Sequence, residues 1–206
     1  MAPSQEPSSP DPAAAAKVAL RDQLLTARHR LTLVEIGESA RRIAAHLLAA
    51  DEVRRAATVA AYVSVGTEPG TGELLDELTG AGARVLLPRL LSDDDLDWAV
   101  HRGSDHLVPA RRGLLEPDGP SLGPDAIASA DVVLLPGLAV SPQGWRLGRG
   151  GGSYDRALAR VPIGTFTCVL LYDDELDREV PVQPHDRRVS AAVSPSGLRR
   201  WAPGPG

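Results

Sequence analysis

The chain contains one cysteine, one lysine, one methionine and one phenylalanine, and aromatic residues make up only 3% of it. Cys168 alone excludes an internal disulfide and a multi-thiolate zinc site, and a lone thiol suits a reducing cytosol. Basic charge is also scarce: 22 lysines and arginines stand against 27 acids, for a net charge of −5. A general nucleic-acid or anionic-membrane binder needs a broad basic surface, and a single-strand binder needs aromatic platforms, so neither is expected. A local basic pocket stays open. No apolar run is long. The longest, Val132 to Val140, is interrupted by Pro136 and Gly137 and falls well short of the ~20 residues of a membrane span. Met1 to Pro12 has no basic segment followed by an apolar one, so no secretory signal is expected there. The expectation is a soluble, cytoplasmic protein with no membrane partner.

What is present is ordinary for a globular domain: 206 residues, 43% hydrophobic and 24% charged. A chain of this length buries roughly 70% of the surface its unfolded form exposes, which is enough for a core without staples. Residues 1–12, with prolines at 3, 7, 10 and 12, read as a disordered tail, and 201–206 as a second tail. One domain spans 13–200. Apolar spacing predicts a first helix over 13–30 with Val18, Leu20, Leu24, Leu25 and Leu31 inward, and a second over 34–55. A buried strand is expected over 58–65, a helix over 71–81, and a strand over 84–87 stopped by Pro88. Shorter strands follow at 96–100 and 106–109, with a short helix at 124–129. The run 131–135 is apolar on both faces, as central parallel strands are. A helix from 153 to 160, a strand over 165–171 and a last strand over 189–193 complete the pattern. Alternating strands and helices imply a mostly parallel sheet covered on both faces. The aspartates at 93, 94, 95 and 97 read as a solvated loop, with a metal site as the other reading.

The chemistry concentrates between Leu135 and Arg156. A buried strand ends at Pro136-Gly137, and after a long loop Gly148, Gly150, Gly151 and Gly152 precede a helix. Ligands of open α/β sheets bind beyond the carboxyl ends of strands, and glycine-rich backbone amides suit phosphate. Arg146 and Arg149 flank the glycines and can add charge-assisted bonds, while Asp155 is placed to hold a hydrated Mg²⁺ beside phosphates. Neither GxxxxGK[ST] nor GxGxxG fits, since Ser153 falls where the last glycine of the second motif belongs. Lys17 and Arg21 lie four apart on one helix face, either as a solvated pair or as a phosphate contact. Among 21 arginines, the one lysine is either chance or a place where a compact ammonium is needed. Glu68, in a loop after a strand, is either a plain loop acid or a substrate contact.

Taken together these residues resemble the 5-formyltetrahydrofolate cyclo-ligase (methenyltetrahydrofolate synthetase) family. The resemblance rests on Lys17-Val-Ala-Leu-Arg21, Glu68-Pro-Gly-Thr71, Pro136-Gly137 with Arg146-Leu-Gly-Arg-Gly-Gly-Gly-Ser-Tyr-Asp155, and Pro181-Val-Gln-Pro-His-Asp186. It implies a three-layer α/β sandwich like that of certain sugar-phosphate isomerases and CoA transferases. It implies ATP as co-substrate and Mg²⁺ as metal, with ATP held by Lys17, Arg21 and the run Arg146, Leu147, Gly148, Arg149, Gly150, Gly151, Gly152, Ser153 and Tyr154. Folate contacts would come from Val63, Glu68 and residues 149–153, the metal ligand would be Asp155, and Lys17 and Arg149 would carry the catalytic charge. A monomer is expected. Two departures stand out: Ser153 replaces the first of two tyrosines, and the family's second metal-ligating carboxylate falls at Ser190. They leave an alternative, a relative that binds ATP or reduced folate without turning it over. A sugar-phosphate isomerase or acyl-CoA transferase on a related sheet, using Glu68 as base or nucleophile, is a more distant reading. Cys168 and Trp98 are expected in the core, and His185 either at the site rim or in a turn.

Overall fold

The structure, a computed structural model, describes residues 12–184 and 186–201. Of the tails expected at 1–12 and 201–206, residues 1–11 and 202–206 lie outside the described residues, as does His185, while Pro12 is not tail but the first residue of a helix. Helix α1 (Pro12–Arg28) leads to α2 (Leu33–Ala49), whose start is fixed by a reciprocal cap. The Thr32 hydroxyl accepts from the Glu35 amide, and the Glu35 carboxylate accepts from the Thr32 amide. The helix expected over 34–55 breaks at Ala50, where ψ of 133° turns the chain, and α3 (Asp51–Arg54) restarts with Val53 buried. The inward face of α1 also differs from its apolar spacing. Val18 is 62% exposed and Lys17 is 4% exposed, because Lys17 meets a carboxylate that compensates the burial of its charge.

The remaining elements are β1 (Thr58–Ala60), α4 (Gly72–Gly80), β2 (Arg84–Leu90), β3 (Leu96–Val100), β4 (Leu107–Pro109), β5 (Leu115–Pro117), β6 (Val132–Pro136), β7 (Ala139–Val140), β8 (Arg146–Leu147), α5 (Ser153–Leu158), β9 (Phe166–Leu170), β10 (Ala191–Ser194) and β11 (Gly197–Arg200). Seven strands form the central sheet in the order β11-β10-β9-β6-β1-β2-β3. Its five inner strands are parallel, and β3 and β11 pair antiparallel at the two edges. Alternate strand residues feed two cores. Val59, Val85, Leu134 and Cys168 pack under α2, α3 and α4. Ala60, Leu86, Trp98, Val133 and Val169 pack with Ile127 and, from α5, Ala157 and Leu158. The expected three-layer arrangement with a mostly parallel sheet is therefore present. A third cluster seats Leu24 of α1 on Leu138, Ala139 and Leu147, so α1 lies against the β7–β8 hairpin.

Strand ends depart from the sequence expectations in instructive ways. The strand expected through 65 pairs only as far as Ala60, although the Ala61 amide still reaches the Leu86 carbonyl at 2.9 Å. Beyond it Thr71 takes over the backbone: its hydroxyl donates to the Tyr62 carbonyl and accepts from the Ser64 amide. Pro88 does not stop β2, which continues to Leu90. The Leu86 carbonyl faces β1 and the Leu90 amide reaches Glu116 on that same side, so Pro88 lacks its N–H only where β1 has already ended. The aspartate run is not a solvated loop throughout. Asp95 pairs with Arg160, and the buried Asp97 carboxylate accepts from the Trp98 and Gly123 amides. Trp201 is held rather than trailing, its amide donating to Ser190 and its indole to Pro142.

Candidate active site

Two clefts open at the carboxyl ends of the parallel strands and share one wall. The larger, 330 Å³, is bounded by the chain leaving β1 (Tyr62, Val63, Val65, Glu68), the end of β6 (Pro136, Gly137), the β4–β5 hairpin and residues 148–155. The smaller, 200 Å³, lies between α1 (Ala14, Lys17, Val18, Arg21) and Gln183 and Asp186, on the other side of the glycine segment. Arg146, Gly148, Gly150, Gly152 and Asp155 line both.

The wall needs glycine for steric reasons at two points. A Cβ on Gly148 would come within 2.7 Å of Arg146 Nη1. Gly150 has φ of +102°, and a Cβ there would meet the Arg21 guanidinium at 3.3 Å. Arg21 Nε in turn donates to the Gly148 carbonyl at 2.8 Å, tying α1 to the wall. Beneath the wall Arg146 is buried. Its Nη1 donates to the Pro136 carbonyl at 3.1 Å, its Nη2 to Asp155 Oδ1 at 2.9 Å, and its guanidinium sits 5.9 Å from the Tyr154 ring centre. This fork sets the spacing between the strand end and the start of α5, which lysine's single ammonium cannot do.

On the large-cleft side Glu68 is 6% exposed. One oxygen accepts from the Val65 amide at 3.0 Å and the other pairs with Arg149 Nε at 3.1 Å. Burial, and then the negative charge of Glu68, push both the Tyr62 and Tyr154 phenols up, so both stay protonated at neutral pH. The Tyr62 hydroxyl is buried without a hydrogen-bond partner at the base of this cleft. On the small-cleft side Lys17 Nζ lies 2.6 and 2.7 Å from the two oxygens of Asp186 and 3.0 Å from Gln183 Oε1.

The residues that the sequence assigned to ATP, folate and metal binding line one cleft or the other: Val63, Glu68, Arg149, Gly151, Ser153 and Tyr154 the larger, Lys17, Arg21 and Leu147 the smaller, and Arg146, Gly148, Gly150, Gly152 and Asp155 both. Ser190 does not. It sits at the amino ends of β9 and β10, where its hydroxyl accepts from the Thr167 amide at 2.8 Å and donates to the Thr167 carbonyl at 3.0 Å. Sequence reasoning gave no role to Asp186, which lines the small cleft, or to the hairpin residues Arg112, Leu114, Leu115 and Glu116, which wall the large one. One signal was available. The chain has only three tyrosines, and two line the large cleft while the third, Tyr172, donates to the carbonyl of Thr67 beside Glu68.

As for a metal, the donor chemistry is that of a hard cation. Asp155 and Asp186 line the same small cleft, and one or two carboxylates completed by phosphate oxygens and water is the usual Mg²⁺ arrangement. Arg146 takes one Asp155 oxygen through its Nη2. No helix among the described residues is long and apolar enough to cross a membrane.

Comparison with known proteins shows the family and the fold. The model of the 5-formyltetrahydrofolate cyclo-ligase family matches residues 13–195. A protein of Mycolicibacterium smegmatis named 5-formyltetrahydrofolate cyclo-ligase is 45% identical over 143 residues, covering 67% of this chain and 73% of the relative. Its namesake from Escherichia coli K12 is 31% identical over 182 residues, covering 84% and 97%. The solution structure of Aquifex aeolicus 5,10-methenyltetrahydrofolate synthetase superposes with a TM-score of 0.79 at 25% identity, covering 92% of this chain and 95% of that one.

Proposed function

Because this chain belongs to the 5-formyltetrahydrofolate cyclo-ligase family, we propose that it converts 5-formyltetrahydrofolate and ATP to 5,10-methenyltetrahydrofolate, ADP and phosphate, with ATP in the small cleft and the folate in the large one. The observation that carries this assignment of ligands is the glycine-rich wall that the two clefts share. A formamide oxygen is a poor leaving group. It must first take a phosphoryl group, which requires the formyl oxygen and the γ-phosphate to come into direct contact at the edge of that wall.

The formyl oxygen attacks the γ-phosphorus and ADP leaves. N10 then closes on the activated formyl carbon and gives up its proton to solvent, and the C–O bond breaks to release phosphate. Transfer of this kind is mainly positioning and charge stabilisation. Lys17 and Arg21, with Arg146 beneath, supply fixed positive charge to the phosphate side, and Arg149 supplies it from the folate side. Lys17 and Arg149 are thus the groups assigned the charge developing in transfer. Glu68 and Val63 hold the reduced pterin, and Ser153 leaves the folate side without the aromatic surface of a tyrosine. Asp155, with Asp186 facing the same cleft, would hold Mg²⁺, which when bound spreads the phosphate charge. Asp186 is a better placed second carboxylate than position 190, so the serine there gives no support to a binding-only relative. One chain supplies both clefts, which supports a monomer, and a single buried thiol suits the cytosol.

The test is the near-ultraviolet absorbance of the methenyl product, followed with Mg²⁺, ATP and 5-formyltetrahydrofolate against a control lacking ATP. A signal that grows only with ATP is expected. A flat trace from folded protein would overturn the reading.

A further inference from the structure

A group of buried side chains, Arg28, Tyr172 and Glu175, lines neither cleft. Arg28, at the last residue of α1, is 2% exposed, and so is Glu175. Arg28 Nε donates to Glu175 Oε1 at 2.6 Å, and Nη2 donates to Glu175 Oε2 at 2.8 Å and to the Gly137 carbonyl at 2.7 Å. Burial lowers the guanidinium's proton affinity, but the Glu175 bond outweighs it and keeps Arg28 charged. Glu175 also accepts from the Tyr172 amide at 2.9 Å. The Tyr172 ring lies 5.3 Å from the Arg28 guanidinium carbon, and its hydroxyl donates to the Thr67 carbonyl at 3.1 Å.

Three segments therefore meet here, and each bears a residue of the site. Helix α1 carries Lys17 and Arg21. Gly137 ends the β6 wall of the large cleft, and the carbonyl before it, Pro136, is taken by Arg146. Thr67 precedes Glu68. Two successive carbonyls at the end of β6 are thus gripped by two arginines, one from the glycine wall and one from α1. For stability alone a buried ion pair is a poor device, since apolar residues of similar volume often do as well or better. What the pair adds is direction: each bond has one acceptor, and the acceptors lie in separate segments of the site.

We propose that Arg28, Glu175 and Tyr172 are positioning residues for the ligase reaction, a relay that sets the Glu68 loop and the β6 end against the helix bearing Lys17 and Arg21. The proposal rests on the ligase reading for its kinetic arm only. Tyr172→Phe removes one hydrogen bond and keeps the ring. In the ligand-free chain it should speed amide exchange across residues 65–71 without speeding it in α2 or the sheet. Calorimetry should show 5-formyltetrahydrofolate affinity weakened roughly 2- to 10-fold, the worth of one neutral hydrogen bond, with ATP affinity held. In turnover the same variant should raise KM for folate and leave kcat close to wild type.

The double variant Arg28→Met/Glu175→Leu orphans the Gly137 carbonyl and the Tyr172 amide, so it should melt somewhat lower than wild type but stay folded, and lose affinity for both substrates and at least tenfold in kcat. Unchanged exchange and unchanged folate affinity in Tyr172→Phe overturn the relay whatever the double variant does. So does a double variant with wild-type affinities and kcat. A wild-type chain that makes no methenyl product refutes the ligase reading, and the exchange measurement still decides the relay.

Discussion

Lys17 Nζ and the Asp186 carboxylate lie 2.6 Å apart across 169 residues of chain, with side chains 5% and 8% exposed. The one lysine of the sequence is thus held in the small cleft by an acid from near the other end of the chain. Lys17→Ala should do two things at once. It removes a fixed charge from the γ-phosphate, which should lower kcat/KM by about 100-fold or more. It also takes the ammonium from a buried carboxylate, which should cost about 3 kcal/mol of folding stability. Steady-state kinetics and a urea titration separate the two. Lys17→Arg should recover much of the stability and little of the activity.

Gly150→Ala tests the wall itself. A methyl group at φ of +102° is strained, and it points at the Arg21 guanidinium 3.3 Å away. We expect a loss of about 1–2 kcal/mol in stability and a raised KM for ATP, because Arg21 must leave the Gly148 carbonyl. A rise confined to the folate KM would contradict the assignment of ATP to the α1 side.

Arg146→Lys keeps the charge and loses the fork. Pro136 and Asp155 are then no longer gripped by one planar group. Activity should fall about tenfold or more while the far-ultraviolet circular dichroism stays unchanged. Wild-type kinetics from this variant would show that the spacing is set elsewhere.

His101 gives a pH-dependent stability. The ring is 4% exposed with both nitrogens unpartnered. Burial holds its pKa below the ordinary 6.5, nearby His106 adds to the lowering, and Asp76 opposes it. The unfolded chain therefore takes the proton first. Stability from this group is complete above pH 6.5 and falls as pH drops below it, until the folded ring also protonates. His101→Phe should flatten the melting temperature between pH 5 and 7 (a window around the ordinary histidine range). An unchanged slope would place the acid sensitivity elsewhere.

How far the sequence revealed this arrangement varies with the kind of interaction. Val132 to Leu135 and the glycine segment were legible because their signals are local: continuous apolar character for a central strand, and glycines where side chains would collide. The end of β1 was not legible, since residues 61–65 keep a strand-like composition while Thr71 satisfies their backbone from seven to nine residues away. Pro88 misled for a related reason, as its missing amide harms a strand only where a neighbour exists. The inward turn of Lys17 contradicts apolar periodicity and follows from Asp186, which no local pattern connects to α1. Assigning a metal carboxylate to position 190 failed likewise. Alignment of motifs gives order along the chain, whereas the Thr167–Ser190 bonds show that this position faces the other end of the sheet.

The wall common to the two clefts has a thermodynamic consequence. On the ligand assignment proposed above, Arg146, Gly148, Gly150, Gly152 and Asp155 have one set of positions to offer both ligands, so occupancy on one side fixes the surface presented to the other. Whatever factor ATP applies to the affinity for 5-formyltetrahydrofolate, the folate must apply to the affinity for ATP. Linkage between the two substrates is thus built into a few residues of backbone, and a substitution that loosens that wall should weaken the mutual effect before it abolishes either binding event.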